Sequence, residues 1–308
     1  YEIGSGLVGS EMCIRDSGMA MNCFTQKGDK VMIQPPVYHP FAWVTTRNER
    51  TLVTNPLKWE NGMYRMDLDT FREQIKGCKL FILCNPHNPG GVVWTEAELR
   101  AIADICYDEK VLVFSDEIHA DLTLPPHTHR PFATVSEKAR MNSVTFMSPS
   151  KAFNMPGLSA SHALIFNEDL RKRFRIYMDA GELDMGHVFA FLSVEAAYSH
   201  GTEWLDQCLA YIQGNIDFVD DFLKNHAPKI KAIRPEASYL VWLDCRELKL
   251  SQKDLNEFFV DKAHLALNDG EMFGKEGIGF MRLNVASPRC IIEKAMKQLA
   301  DAYQLYIK

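Results

Sequence analysis

Five short, nearly unbroken apolar runs, most of them stopping at a cluster of turn-forming polar residues, constrain this chain more than any other feature. Residues 31–33 end at Pro35-Pro36, 79–84 at Asn85-Pro86, 111–114 at Ser115-Asp116 and 144–147 at Ser148, and residues 162–166 complete the series. Runs without apolar–polar alternation belong to strands buried on both faces, which implies parallel strands joined by helical crossovers. One crossover is legible between the second and third runs. Thr95 with Glu98 three residues on has the capping-box spacing. Leu99, Ile102, Ala103, Ile105 and Cys106 then share one helical face, which predicts a helix over 96–109. Further helices are predicted over 188–198 and 204–224, leading to Pro228.

After Pro228 the pattern changes. Residues 239–243 and 278–285 read as strands, and 255–264 and 291–305 as helices, a smaller α+β unit. At 308 residues the chain exceeds what one core usually supports. The expected organisation is a large domain over 18–208 and a small one over 209–308, with the boundary inside the helical connection near 205–215. Residues 1–17 show neither helical nor strand periodicity, and they lack the basic and apolar regions of a signal peptide. The stretch from Leu7 to Ser17 looks like translated sequencing adapter, so 1–17 is read as a non-native leader and the large domain as incomplete at its N-terminus.

Composition narrows the function. Forty acidic against 34 basic residues give a net charge of -6, which offers a nucleic-acid backbone no electrostatic support. No apolar run reaches the ~18 residues of a membrane helix. The eight cysteines are scattered without a Cys-x-x-Cys pair, which indicates free thiols in a reducing, cytoplasmic setting.

Ligands of open α/β sheets bind beyond the carboxyl ends of the strands, and that is where the polar clusters fall: Tyr38; Asn85-Pro86-His87-Asn88-Pro89-Gly90-Gly91; Ser115-Asp116-Glu117-Ile118-His119-Ala120-Asp121; and Ser148-Pro149-Ser150-Lys151-Ala152-Phe153-Asn154. A metal site from Asp116, Glu117, His119, Asp121, His127 and His129 is disfavoured. The first residues leave a strand end at irregular spacing, and the last two follow Pro125-Pro126 in a loop.

In combination these clusters resemble the fold type I pyridoxal phosphate enzymes of the aminotransferase class I/II superfamily, and within it the carbon–sulfur β-lyases of the cystathionine β-lyase subfamily. The likeness runs from about residue 18 to the end. It implies an α/β fold with a mostly parallel central sheet, helices on both faces and a smaller α+β C-terminal domain, assembled as a homodimer. It also implies roles. Lys151 forms the internal Schiff base and, once freed, is the base at Cα. Asp116 keeps the pyridine nitrogen protonated, Asn88 hydrogen-bonds the phenolate oxygen, and His119 stands where many relatives have a tyrosine with that task. Tyr38 stacks on the ring, Ser148 and Ser150 bind the phosphate, and Arg282 grips the substrate carboxylate.

Two departures accompany the resemblance. An arginine usually follows the lysine by eight positions, where this chain has Ser159; the lyases share that change. The segment the family places before residue 18, with a Gly-rich phosphate turn and a tyrosine lent to the partner subunit, has no counterpart here. The expected reaction is β-elimination from L-cystathionine or another cysteine S-conjugate, giving a thiol, pyruvate and ammonia. A class I/II aminotransferase is the alternative, followed by a non-catalytic binding protein or an inactive fragment on the same fold.

Overall fold

Among the described residues, twelve strands and ten α-helices carry the fold. The strands are β1 (Lys30–Ile33), β2 (Thr51–Thr54), β3 (Lys58–Glu60), β4 (Met63–Arg65), β5 (Cys78–Cys84), β6 (Leu112–Asp116), β7 (Ser143–Met147), β8 (His162–Leu164), β9 (Lys231–Ile233), β10 (Leu240–Asp244), β11 (Asn268–Asp269) and β12 (Phe280–Asn284). The helices are α1 (Glu11–Phe24), α2 (Pro40–Arg47), α3 (Leu68–Gln74), α4 (Glu96–Asp108), α5 (Glu137–Met141), α6 (Glu168–Ala180), α7 (Val188–His200), α8 (Thr202–His226), α9 (Gln252–Glu257) and α10 (Arg289–Tyr306). The computed structural model describes residues 11–158, 160–183 and 188–306. Residues 1–10 of the stretch expected to be a leader, and Ser159, therefore lie outside the described residues.

The large sheet has the order β2-β1-β5-β6-β7-β8. Its strands alternate between two cores, as a doubly covered sheet requires. On β5, Phe81 and Leu83 enter one core with Met32, Val113 and Ile102. Leu80, Ile82 and Cys84 enter the other with Val31, Ile33, Phe114 and Phe146. The α4 crossover forms with its capping box intact and with Leu99, Ile102, Ala103, Ile105 and Cys106 buried.

Two expectations need correction. The run at 162–166 was read as another parallel strand, but β8 pairs antiparallel with β7 and none of its residues is buried. Among the described residues of 148–161 there is no α-helical crossover, and a short 3-10 turn at 156–158 precedes a strand that re-enters from the same sheet end. The region 1–17 was read as lacking helical structure, yet α1 begins at Glu11. Buried Ser17, Ala20 and Met21 anchor that helix against the sheet, and elongation adds a hydrogen bond per residue once a turn exists.

A second sheet has the order β11-β12-β10-β9 and is antiparallel throughout. Val241, Leu243, Met281 and Leu283 point into a core with Ile212, Ile216, Val219 and Leu223 of α8 and Ile292, Met296 and Leu299 of α10. The alternate residues face the large unit. Trp242 and Phe280 stack at 5.2 Å within the first core of the large sheet, and Trp242 Nε1 donates to Tyr64 Oη at 3.2 Å. Arg282 pairs directly with Trp242 in the ladder. Strand alternation therefore directs it to the same face.

Candidate active site

The carboxyl ends of β5, β6 and β7 are neighbours, so the three polar clusters converge. Cys84 pairs with Asp116 across β5 and β6, and Asp116 with Phe146 across β6 and β7. Segment 235–238 then ties the second sheet to these loops. Gly91 O accepts from Glu236 N at 2.8 Å and Ala237 N at 3.1 Å, Val93 N donates to Glu236 Oε2 at 2.8 Å, and Ser238 N donates to Leu122 O at 2.8 Å. Glycine is required at 91, because φ is +68° and a side chain would collide with Pro235. These ties seat β10 and β12 over the strand ends.

Arg282 is the centre of the arrangement. Its Nη1 donates to Asn88 Oδ1 at 2.9 Å and its Nη2 to Asn268 Oδ1 at 2.8 Å. Its guanidinium lies 4.6 Å over the Phe273 ring, and its Nε is buried with no hydrogen-bond partner among the described residues. No carboxylate among the described residues lies in ion-pair range of it. Burial lowers its pKa to about 10, so it remains a cation near neutral pH, held by neutral acceptors with donors to spare.

The contact with Arg282 also decides how Asn88 is oriented. A guanidinium only donates, so Asn88 turns its oxygen to Arg282 and keeps its Nδ2 hydrogens for another acceptor. Asn88 is buried, and its own N–H reaches Cys84 Sγ at 3.3 Å. Asp116 is 5 % exposed, and its Oδ1 accepts from Ile118 N at 3.2 Å. Cys84 beside it has its pKa raised, by burial first and then by the Asp116 charge.

His119 is buried, with Nδ1 unpartnered among the described residues. Burial, then the positive charges of Lys151 and Arg282, lower its pKa to about 3, so it is a neutral imidazole at physiological pH. His119 thus lies within electrostatic range of both Lys151 and Arg282. Lys151 itself is half-buried in a turn fixed by Phe153 N to Pro149 O at 2.9 Å and Met155 N to Ser150 O at 3.0 Å. Ser148 Oγ is held by the Ala160 carbonyl, by Ser150 N at 3.1 Å and by Ser150 Oγ at 2.9 Å. Tyr38, half-buried and edge-on to Phe41 at 5.5 Å, belongs to the same group through its electrostatic contact with Arg282.

Three neighbours lacked a signal in the sequence. Tyr239 lies 6.3 Å from His119 between ring centroids, and burial raises its pKa to about 12. His39, against Trp43 at 4.4 Å and Phe273 at 5.7 Å, has its pKa lowered to about 4 by burial and then by Arg282. Asn268 reaches Arg282 from the neighbouring strand. Two of the residues weighed for a metal engage each other: Glu117 accepts from Ser115 Oγ at 2.7 Å and Phe132 N at 2.9 Å and pairs with His129 at 2.8 Å. Among the described residues no group of three or more metal-ligating side chains forms.

The set fits pyridoxal phosphate. A buried carboxylate, an amide with its oxygen committed to Arg282, a neutral imidazole with an unpartnered nitrogen and a lysine lie at or just beyond the carboxyl ends of β5, β6 and β7, and among the described residues no carboxylate pairs with the adjoining arginine. Their types match the pyridine nitrogen, ring oxygen, aldehyde and amino-acid substrate.

Comparison with known proteins agrees with this chemistry. The family model for aminotransferase class I and II matches residues 16–299. The chain is 38 % identical over 286 residues to cystathionine beta-lyase PatB of Bacillus subtilis, covering 92 % of this chain and 74 % of that protein. It superposes on cystalysin of Treponema denticola, a crystal structure containing pyridoxal 5'-phosphate. There the TM-score is 0.92 at 35 % identity, covering 96 % of this chain and 75 % of that one. The pyridoxal phosphate-bound C-S lyase of Staphylococcus hominis gives a TM-score of 0.87 at 32 % identity, covering 94 % and 76 %.

Proposed function

The chain belongs to the aminotransferase class I and II family, and we propose that within it this protein is a pyridoxal phosphate-dependent carbon–sulfur β-lyase. Its substrate is L-cystathionine or a related cysteine S-conjugate, converted with water to a thiol, pyruvate and ammonia. The observation that carries the reading is Arg282, a half-buried cation bracketed by two amides with a buried Nε that has no partner among the described residues, which is a receptor for an amino-acid carboxylate.

Pyridoxal phosphate, when bound, supplies a ring that accepts the electron pair left at Cα. Lys151 would hold it through the side-chain amine, Asp116 would serve its ring nitrogen, and Asn88 Nδ2 and His119 would serve its ring oxygen. Tyr38 would lie against the ring, and the Ser148 and Ser150 hydroxyls would serve the phosphate. Arg282 would fix the substrate through its carboxylate, and once the substrate's own amine has taken the place of the Lys151 amine, that freed amine would face the Cα–H bond and take its proton. The protein then has to hold Cβ–S in line while the thiolate leaves, because a thiolate is itself a good leaving group.

Incubation of the loaded protein with L-cystathionine, followed by thiol and pyruvate, tests the reading. Equal yields of both support it. Amino transfer that depends on a 2-oxo acid and yields no pyruvate would make the protein an aminotransferase.

The same reading includes a homodimer and a cytoplasmic setting, with large and small domains over 18–208 and 209–308. The dimer is supported by the apolar surface of α7 and α6, where Phe189, Phe191, Leu192 and Ile176 are each more than half exposed. The described cysteines, all free thiols, support a reducing compartment. Among the described residues no helix is long and apolar enough to cross a membrane.

A further inference from the structure

The substrate-carboxylate site assigned above accounts for Arg282 but not for the residue that pins its second nitrogen. Asn268 sits directly opposite Arg282 in the β11–β12 ladder and accepts from Nη2 at 2.8 Å. Directly opposite residues of an antiparallel pair bring their Cβ atoms to about 4.5–5.5 Å, so position 268 is the cross-strand neighbour of the guanidinium. The next residue, Asp269, carries a charge that would pair with Arg282 if the two were exchanged. Strand alternation turns it to the other face. There its Oδ1 accepts from Gln252 Nε2 at 2.6 Å and Glu271 N at 2.8 Å, and its Oδ2 from Asn256 Nδ2 at 2.6 Å. The two-residue strand therefore presents a neutral amide to the arginine and directs its carboxylate away.

The consequence is chemical. An amide oxygen orients the guanidinium plane without neutralising it, so the whole positive charge stays available to an incoming carboxylate. A carboxylate at 268 would hydrogen-bond more strongly but would occupy the charge. We propose that Asn268 is a positioning residue for the substrate-carboxylate arginine, holding Arg282 from the side opposite Asn88 and keeping it free of an internal counter-ion. The proposal rests on the assignment of Arg282 as the carboxylate receptor.

The test uses the pyridoxal phosphate-loaded chain and its Asn268→Asp and Asn268→Ala variants. L-Alanine, which has an α-carboxylate but no leaving group, is titrated while the visible absorbance of the cofactor is followed. Asn268→Asp is nearly isosteric and keeps an acceptor for Nη2, so a purely structural role predicts no change. The proposal predicts unchanged cofactor content and at least a tenfold rise in the L-alanine dissociation constant at pH 8. It also predicts a KM for L-cystathionine that rises by a similar factor while kcat changes less than threefold. Asn268→Ala, which frees the plane but adds no charge, is expected to weaken L-alanine several-fold, between parent and Asn268→Asp. An Asn268→Asp constant within twofold of the parent would overturn the proposal. So would the reverse order of the two variants, or a parent protein whose spectrum ignores L-alanine. Normal L-alanine binding without β-elimination would instead count against the proposed reaction and leave the clamp standing.

Discussion

Replacing Arg282 by lysine keeps a positive charge at the proposed substrate-carboxylate site but removes the fork, and donor counting sets the size of the effect. Arginine has five N–H donors. One goes to Asn88 and one to Asn268, leaving enough for both oxygens of a carboxylate. A lysine ammonium has three, so with both amides served only one remains for the substrate. The loss is about one charge-assisted hydrogen bond, ~1.5–3 kcal/mol, or roughly a 10- to 150-fold fall in kcat/KM. Arg282→Gln loses the charge and both bonds, about 3–6 kcal/mol, or on the order of 10²–10⁴-fold. The assay is pyruvate formation from L-cystathionine at matched cofactor content, read from absorbance. A lysine variant within threefold of the parent would refute the argument that the planar fork seats the substrate, and an active glutamine variant would remove Arg282 from the site.

Stability should fall in acid for a reason tied to buried histidines. His87 and His119 have folded-state pKa values lowered to about 4 and about 3, in both cases chiefly by burial. Between pH 6.5 and about 4 the unfolded chain binds a proton at each that the folded chain does not, so stability is lost as pH falls through that window. The slope approaches about 1.4 kcal/mol per pH unit for each group. Urea midpoints at pH 7.5, 6 and 5 should show it, and His87→Gln should flatten it; an unchanged slope would contradict the assignment. The homodimer should be the species seen by light scattering at micromolar concentration. Phe191→Asp with Leu192→Asp should shift it to monomer, whereas a monomeric parent would contradict that reading.

The strand ends were legible because their chemistry needs particular residue types where the apolar runs stop. Asn88, Asp116 and Lys151 announce themselves next to β5, β6 and β7. Arg282 was legible by resemblance, but its support was not. Asn268 lies in a two-residue strand with no pattern to read, and its value comes from facing Arg282 across the ladder. Tyr239 reads as another apolar strand residue until the second sheet is seated beside His119. The direction of β8 escaped because an apolar run does not say which end of the sheet the chain enters from, and a short edge strand needs no crossover. The β3–β4 hairpin did carry a signal, Asn61-Gly62 with φ of +50° and +81°, a pair that suits the two-residue turn closing it.

The central claim is that Lys151 holds pyridoxal phosphate at the ends of β5, β6 and β7. The purified chain, loaded with the cofactor, reduced with borohydride and digested, should carry the pyridoxyl group on the peptide containing Lys151. Lys151→Ala should lose both that label and the visible absorbance of the parent. A label on a different lysine, or a Lys151→Ala variant that keeps the parent spectrum, would contradict the account.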